Sequence, residues 1–392
     1  MRKLKITVGL FFGGSSVEHE VSIISGIQAY RNFDTQKYDV VPIYISRDSE
    51  FYTGEDAGKI EAYRDIPALL KRLTRVQLTR ENGRVALTAP GFMGKPKTLH
   101  TLDVAFPVVH GTNVEDGALQ GYFRTLGLPF AGSDVLASAV GMDKYTQKLL
   151  YAAAGLPVVP GVKLHAGEER SGGCARVAAE LGFPVIVKPL DLGSSIGIRL
   201  ARTPEELPEA LDYAFSFTSA VLVEKAVAPL RELNVSVLGD REEALPSEVE
   251  EPVMGDEILS YRDKYEGGGK NAKGMSGLRR KLPAPISDGL REQVRGMAVR
   301  AFQALDCAGV ARIDFLLNGE SGAVYVNEVN TIPGSLSFYL WEPLGVSYPK
   351  LLDKMVMLAL KRERLRAGLH TSVDTGILKN FSGAKGSKGA KG

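Results

Sequence analysis

Asp314 in ARIDFLL, and Glu328 with Asn330 in YVNEVNT, stand inside apolar runs. A carboxylate there is costly unless it is paired or bound to a metal. Residues two apart on a strand face one side, so Glu328 and Asn330 project together, and Asp314 on a neighbouring strand joins them. Three oxygen donors without sulfur or imidazole suit Mg²⁺, which takes one or two carboxylates and fills its shell with substrate phosphates. A solvated polar strand face would show the same letters. It fits less well here, because Val326, Val329 and the run from Ile313 to Leu317 have the character of buried residues.

Lysines form a second group. Lys188 ends PVIVK, Lys144 follows Asp143, and Glu224 with Lys225 ends VLVEK. One lysine at a strand end can snorkel harmlessly; three around one cleft suggest phosphate. After Lys188 comes DLGSSIGI, whose backbone N–H groups and two hydroxyls suit phosphate or carboxylate oxygens, though a plain tight turn accounts for it equally. In GGSSVEHEVS, Glu18, His19 and Glu20 open a helix, where capping by Ser15 or Ser16 and a favourable dipole explain the charges. HGTNVEDG places His110 after a buried strand end, where open α/β sheets bind ligands. Gly269-Lys270 is followed by Asn271, so no P-loop is present, and no Gly-x-Gly-x-x-Gly follows the first strand.

These groups need elements to hold them. Apolar runs at Leu4–Phe12 and Tyr38–Ile45 flank a helical pattern from Val17 to Tyr30, a βαβ unit. LDVAFPVVHG is a further buried strand, followed by a helix from about Asp116 to Leu126. The polar segment 49–97 is expected to be a peripheral excursion, and residues 1–132 an open parallel α/β domain. Ser133 to Gly155 predicts one helix capped by Ser133. Strands VVPGVKL, PVIVKPL and AVLVEKA make a central unit, 133–227. Strands RELNVSVLG, GVARIDFLL and AVYVNEVN, a helix from about Ile286 to Leu305 and a basic closing helix make the last, 228–370. Within it YEGGGKNAKGMSG has almost nothing apolar to bury. Ordering costs about 1–2 kcal/mol per residue, most for glycine, so this stretch is expected to order only with ligand. The Gly/Lys-rich tail 371–392 is expected to be disordered.

Composition removes several classes. A chain of 392 residues, 44% hydrophobic and 24% charged, is an ordinary globular chain of roughly two to three domains. Net charge +2 gives no field for nucleic acid. Cys174 and Cys307 form no CxxC pair, which fits a reducing compartment. MRKLKITVGLFFGG has the order of a signal peptide, but its apolar run is short, ends in Gly-Gly and precedes no cleavage site. No run approaches the ~18 apolar residues of a membrane span. A cytoplasmic protein is expected.

In order and spacing, GGSSVEHEVS, PVVHGTNVEDG, the MDK of GMDKYTQKLL, PVIVKPLDLGSSIG, VEK, ARIDF and NEVNTIPG resemble D-alanine–D-alanine ligases of the ATP-grasp superfamily, over about residues 4–365. The resemblance implies an α/β (α+β) chain, an ATP-grasp fold preceded by the open parallel-sheet domain, with ATP between the central and C-terminal units. Lys144 and Lys188 would contact its phosphates, Glu224 the adenine amino group and Glu232 the ribose hydroxyls, with the backbone of Lys225, Ala226 and Val227 beside the base. Asp314, Glu328 and Asn330 would hold two Mg²⁺ or Mn²⁺. Glu18 would bind the ammonium of the first D-alanine in a triad with Ser194 and Tyr265, and His110 would lie near its carboxylate. Arg312 and the Gly334 N–H would form an oxyanion site, and Lys264 would reach phosphate from a mobile loop, about 255–283.

The implied reaction is ATP-dependent ligation of two D-alanines through a D-alanyl phosphate, for peptidoglycan precursors, by a homodimer. One departure falls after NTIPG, where the family usually carries a Phe/Met-Thr pair and then a serine touching the second substrate. Here SLSFYLWEP puts Tyr339 in the serine's place. Tyr265 matches dipeptide-forming ligases, whereas D-lactate-using relatives commonly carry histidine. The alternatives are a D-alanine–D-serine or D-alanine–D-lactate ligase, and a binding or regulatory protein without turnover. Arg312, Asp314, Glu328 and Asn330 together count against the last.

Overall fold

The computed structural model describes residues 5–91, 95–193, 196–253, 280–370 and 375. Strand β1 (Ile6–Gly13), helix α1 (His19–Asn32) and β2 (Tyr38–Ile45) form the βαβ unit, β1 and β2 pairing in parallel. The segment expected to be an excursion instead extends this sheet. In it β3 (Phe51–Thr53), β4 (Thr74–Glu81), β5 (Arg84–Ala89) and β6 (Lys97–Leu102) pair antiparallel, with α2 (Ile66–Leu70) between β3 and β4. Its polar letters are one face of alternating strands: in β4 Val76 and Leu78 are buried while Arg75 and Gln77 are exposed. β7 (Val104–Pro107) returns on the other side of β1, so the sheet runs β6-β5-β4-β3-β2-β1-β7; its named strands pair in parallel at β2–β1 and β1–β7 and antiparallel from β2 to β6.

After α3 (Ala118–Leu126) the single helix expected from Ser133 to Gly155 is two, α4 (Val135–Met142) and α5 (Lys144–Ala153). Asp143 sits between them with extended backbone (φ −97°, ψ 99°), and its side chain caps α5 at Thr146 N. Asp134 caps α4, not Ser133, whose hydroxyl exchanges hydrogen bonds with the Ala308 backbone. The break starts a new helix at Lys144, whose N–H donates to Leu190 O.

A four-stranded antiparallel sheet follows, ordered β10-β9-β11-β8. It comprises β8 (Gly161–His165), β9 (Val185–Pro189), β10 (Arg199–Ala201) and β11 (Ala220–Lys225), with α6 (Arg170–Glu180) and α7 (Leu207–Phe215) on it. Val162, Val177, Val187, Leu211 and Val223 form its core.

The third sheet contains β12 (Leu230–Gly239), β13 (Ala244–Pro252), β14 (Arg280–Lys281), β15 (Gly309–Asn318) and β16 (Val324–Asn330), ordered β14-β13-β12-β15-β16. Helix α8 (Asp288–Ala304), capped by Ser287, packs Val294 and Phe302 against Val235, Ile313 and Phe315. The last helix, α9 (Tyr348–Ala367), turns back and buries Leu351, Leu352 and Met355 in the core of the first sheet. Among the described residues, no helix is long and apolar enough to cross a membrane.

Candidate active site

One cavity is lined from all three sheets. It takes in Glu18 and His110 from the first, Lys144 and Gly193 beside the second, and Glu232, Arg312, Asp314, Glu328, Asn330 and Gly334 from the third.

Antiparallel pairing sets Asp314 opposite Glu328 and Arg312 opposite Asn330. Arg312 grips Asp314 with two bonds, Nε to Oδ1 at 2.6 Å and Nη2 to Oδ2 at 2.7 Å, and Asn330 Nδ2 donates to Oδ2 at 3.1 Å. Burial opposes the charge of Arg312, but Asp314 overcomes it and raises its pKa further. The pairing slips by one residue between Asp314 and Phe315, and Asn327 accepts from Lys188 Nζ at 3.2 Å. Glu328 lies 3.7 Å from Lys144 Nζ.

This donor set fits Mg²⁺ or Mn²⁺, being all oxygen with two carboxylates and an amide on adjoining strands. Among the described residues no group of three or more His, Cys, Asp and Glu side chains is placed to hold a metal by itself.

Among the lysines the sequence missed one residue. Glu224, 1% exposed, lies between Lys148 Nζ at 2.6 Å and Lys188 Nζ at 2.5 Å. Burial pushes its carboxyl up, yet the two ammonium groups hold it down at about 2. Burial lowers the pKa of Lys148; for Lys188 burial acts the same way, but Glu224 outweighs it and the pKa rises. The signal was available, since Lys148 is four residues after Lys144 and so on the same helix face. Glu224, expected at an adenine amino group, is here a carboxylate shared by two lysines. Lys144 Nζ donates to Leu192 O at 2.6 Å. Lys225 turns away, donating to Phe183 O, while the N–H groups of Lys225 and Ala226 bond Pro160 O and Pro184 O; Val227 is half-buried beside them.

Glu18 immediately precedes α1 without a side-chain capping bond and is 9% exposed. Its carboxylate lies against two glycines: a Cβ on Gly193 would come within 2.9 Å of Oε2, and one on Gly111 within 3.3 Å. A side chain at 193 would displace the Glu18 carboxylate from this position. His110 is buried, its Nε2 3.1 Å from Ser25 Oγ, and burial lowers its pKa, favouring neutral imidazole. Ser25 Oγ also accepts from Ser335 N at 3.0 Å. Ser335 belongs to a 3₁₀ segment (Gly334–Leu340) in which Ser335, Leu336 and Ser337 all have left-handed backbone, φ 51°, 53° and 48°.

Glu115, in the HGTNVEDG stretch, was not singled out from sequence. It is buried, accepting from Gly111 N, Ile332 N and Thr331 Oγ1, and burial followed by the nearby Glu18 charge raises it to about 8. Between pH about 4.5 and about 8 the unfolded chain releases this proton and the folded chain keeps it. Stability therefore falls as pH rises through that window. Glu115→Gln removes this contribution, so the variant should gain on the wild type in urea midpoint from pH 5 to pH 8. Parallel pH curves would contradict the assignment.

Ser194, Lys264 and Tyr265, most of the loop 255–283 and, apart from residue 375, the tail 371–392 lie outside the described residues.

Two antiparallel sheets bordering a cleft of lysines and carboxylates, with a βαβ-containing sheet closing one end, define the ATP-grasp class. Family models for the D-ala D-ala ligase N-terminus and C-terminus match residues 7–133 and 150–357. The chain belongs to the D-alanine–D-alanine ligase family. A D-alanine–D-alanine ligase of Thermoanaerobacter pseudethanolicus is 39% identical over 375 residues, covering 92% of this chain and 98% of the relative. Among solved structures, the D-alanine–D-alanine ligase of Coxiella burnetii superposes with TM-score 0.78 at 27% identity, covering 93% and 96% of the two chains. The VanG D-Ala:D-Ser ligase of Enterococcus faecalis gives TM-score 0.76 at 30% identity, covering 91% and 100%.

Proposed function

We propose that this chain ligates two D-alanines to D-alanyl-D-alanine at the expense of ATP, through a D-alanyl phosphate, in the cytoplasm and as a homodimer. The observation that carries this reading is one cavity joining Glu18 and His110 to Arg312, Asp314, Glu328 and Asn330. Units 1–132, 133–227 and 228–370 divide the work. Glu18 holds the ammonium of the first D-alanine, and His110 lies near its carboxylate. Lys144 and Lys188 take phosphate oxygens, with Glu224, Glu232 and the backbone from Lys225 to Val227 around the nucleoside. Asp314, Glu328 and Asn330 hold Mg²⁺ or Mn²⁺, which when bound offsets charge on the transferring phosphoryl group. Arg312 and Gly334 N–H stabilise the oxyanion as the second amine attacks.

A second reading, D-serine as acceptor, is favoured by the likeness to the D-Ala:D-Ser ligase and by Tyr339 in the cavity wall. The deciding experiment measures ADP release with D-alanine alone, then with added D-serine or D-lactate, and identifies the products. D-Alanyl-D-alanine as main product supports the first reading. A preference for a mixed product moves the conclusion to the second, and no D-alanine-dependent ADP release overturns both.

A further inference from the structure

The third sheet presents the reaction to its strands in order. Glu328 and Asn330 stand on β16, Arg312 and Asp314 on β15, Glu232 and Asn234 on β12, Glu250 on β13 and Arg280 on β14, all lining the one cavity. The metal and oxyanion groups occupy the β15–β16 side. The β13–β14 side is built as carefully and has been given no task.

There Arg280 stacks on the ring of Tyr339, its guanidinium carbon 3.8 Å from the centroid, and its Nη1 lies 3.6 Å from Glu250 Oε2. Tyr339 donates its hydroxyl to Glu250 Oε1 at 2.9 Å, and Asn234 Nδ2 donates to the same oxygen at 3.1 Å. Glu250 and Tyr339 are buried, and the Arg280 side chain is 13% exposed. A guanidinium stacked through its face directs its N–H groups in the plane of the stack, a geometry that matches a carboxylate. Tyr339 feels the charges of both Arg280 and Arg312, so it stands between this wall and the oxyanion site.

We propose that Arg280 anchors the carboxylate of the acceptor amino acid, with Glu250 and Tyr339 as positioning residues that fix its guanidinium. The proposal rests on the ligase reading. An α-amino acid whose amine attacks beside Arg312 carries its carboxylate two bonds away, and Arg280 supplies a cation on the adjoining wall. The ligand class is therefore a small α-amino acid with a free carboxylate. Acceptors in which that group is neutral are disfavoured.

The test compares D-alanine with D-alaninamide as acceptor, the first site being supplied with D-alanine in both, and products are separated by mass. D-Alaninamide can accept but cannot be phosphorylated, so it reports the acceptor subsite alone. The wild type is expected to prefer D-alanine by about 10- to 100-fold in kcat/KM, the range of a charge-assisted pair. Arg280→Gln should bring that ratio near unity by raising the acceptor KM more than it lowers kcat, and Arg280→Lys should restore part of it. Tyr339→Phe and Glu250→Gln should lower the ratio partially, with the first-site KM moving less than the acceptor KM. A ratio that stays at its wild-type value in Arg280→Gln, or equal losses with both acceptors, overturns the anchor while leaving the ligase reading intact. A wild type with no D-alanine-dependent ADP release overturns both.

Discussion

Glu328→Gln is expected to lower ADP-forming turnover by on the order of 10²–10³ while leaving the folded state nearly as stable as before. The amide keeps the size and one oxygen of the carboxylate and removes the charge that a divalent cation needs. Glu328 has about a quarter of its side chain exposed and lies 3.7 Å from Lys144 Nζ, so its loss should cost less stability than the loss of Asp314. Asp314→Asn makes the contrast. It should lose as much turnover, and it also breaks the two-bond grip of buried Arg312, which costs about 3–5 kcal/mol when one partner of a buried pair is removed. Turnover at saturating substrates, alongside urea unfolding, separates the two effects. Added Mg²⁺ should recover part of the Glu328→Gln activity. Near-normal turnover in that variant would remove Glu328 from the metal site.

Arg312→Ala should lower kcat at least ~100-fold, the usual consequence of losing one oxyanion donor. The measurement is complicated by Asp314, whose carboxylate Arg312 holds. Arg312→Lys helps to separate the roles, because it keeps a cation beside Asp314 but cannot form the planar two-bond contact. If Arg312 acts on the oxyanion, the lysine variant should retain a Mg²⁺ dependence close to wild type and still lose kcat. If Arg312 only positions Asp314, kcat and Mg²⁺ affinity should fall together in both variants. A merely twofold loss in Arg312→Ala would contradict the oxyanion role.

What the sequence made legible follows from local periodicity. Strands β1, β2, β9, β11, β15 and β16 are dense apolar runs, and the two-residue period of β16 puts Glu328 and Asn330 on one side before any pairing is known. The three antiparallel strands between Ser49 and Lys97, and β6 that starts at Lys97, escaped because half their residues face water, so polarity alone resembles a loop. The break at Asp143 escaped because a helix pattern continues in phase on both sides of a residue that is itself a good cap. The Glu250–Arg280–Tyr339 group could not be found from spacing at all. Its members come from two strands and a 3₁₀ segment far apart in the chain, and only the sheet order brings them together. Glu115 was visible as a letter, but what marks it is burial, and burial is a property of the packed whole.

The serine contacts behind the catalytic cavity bear on how such enzymes can be recombined. Ser335, in its left-handed turn, donates its N–H to Ser25 of α1 and its hydroxyl to Gln28 of the same helix. Helix α1 begins directly after Glu18, and the turn begins at Gly334. The residues proposed to hold the first substrate and to supply the backbone donor for the oxyanion are therefore fastened to each other across the primary structure. A chimera taking its N-terminal sheet from one relative and its last sheet from another would inherit both active-site halves intact yet lose their alignment wherever the parents differ at residues 25, 28 or 335. Those three positions are the ones to transplant together.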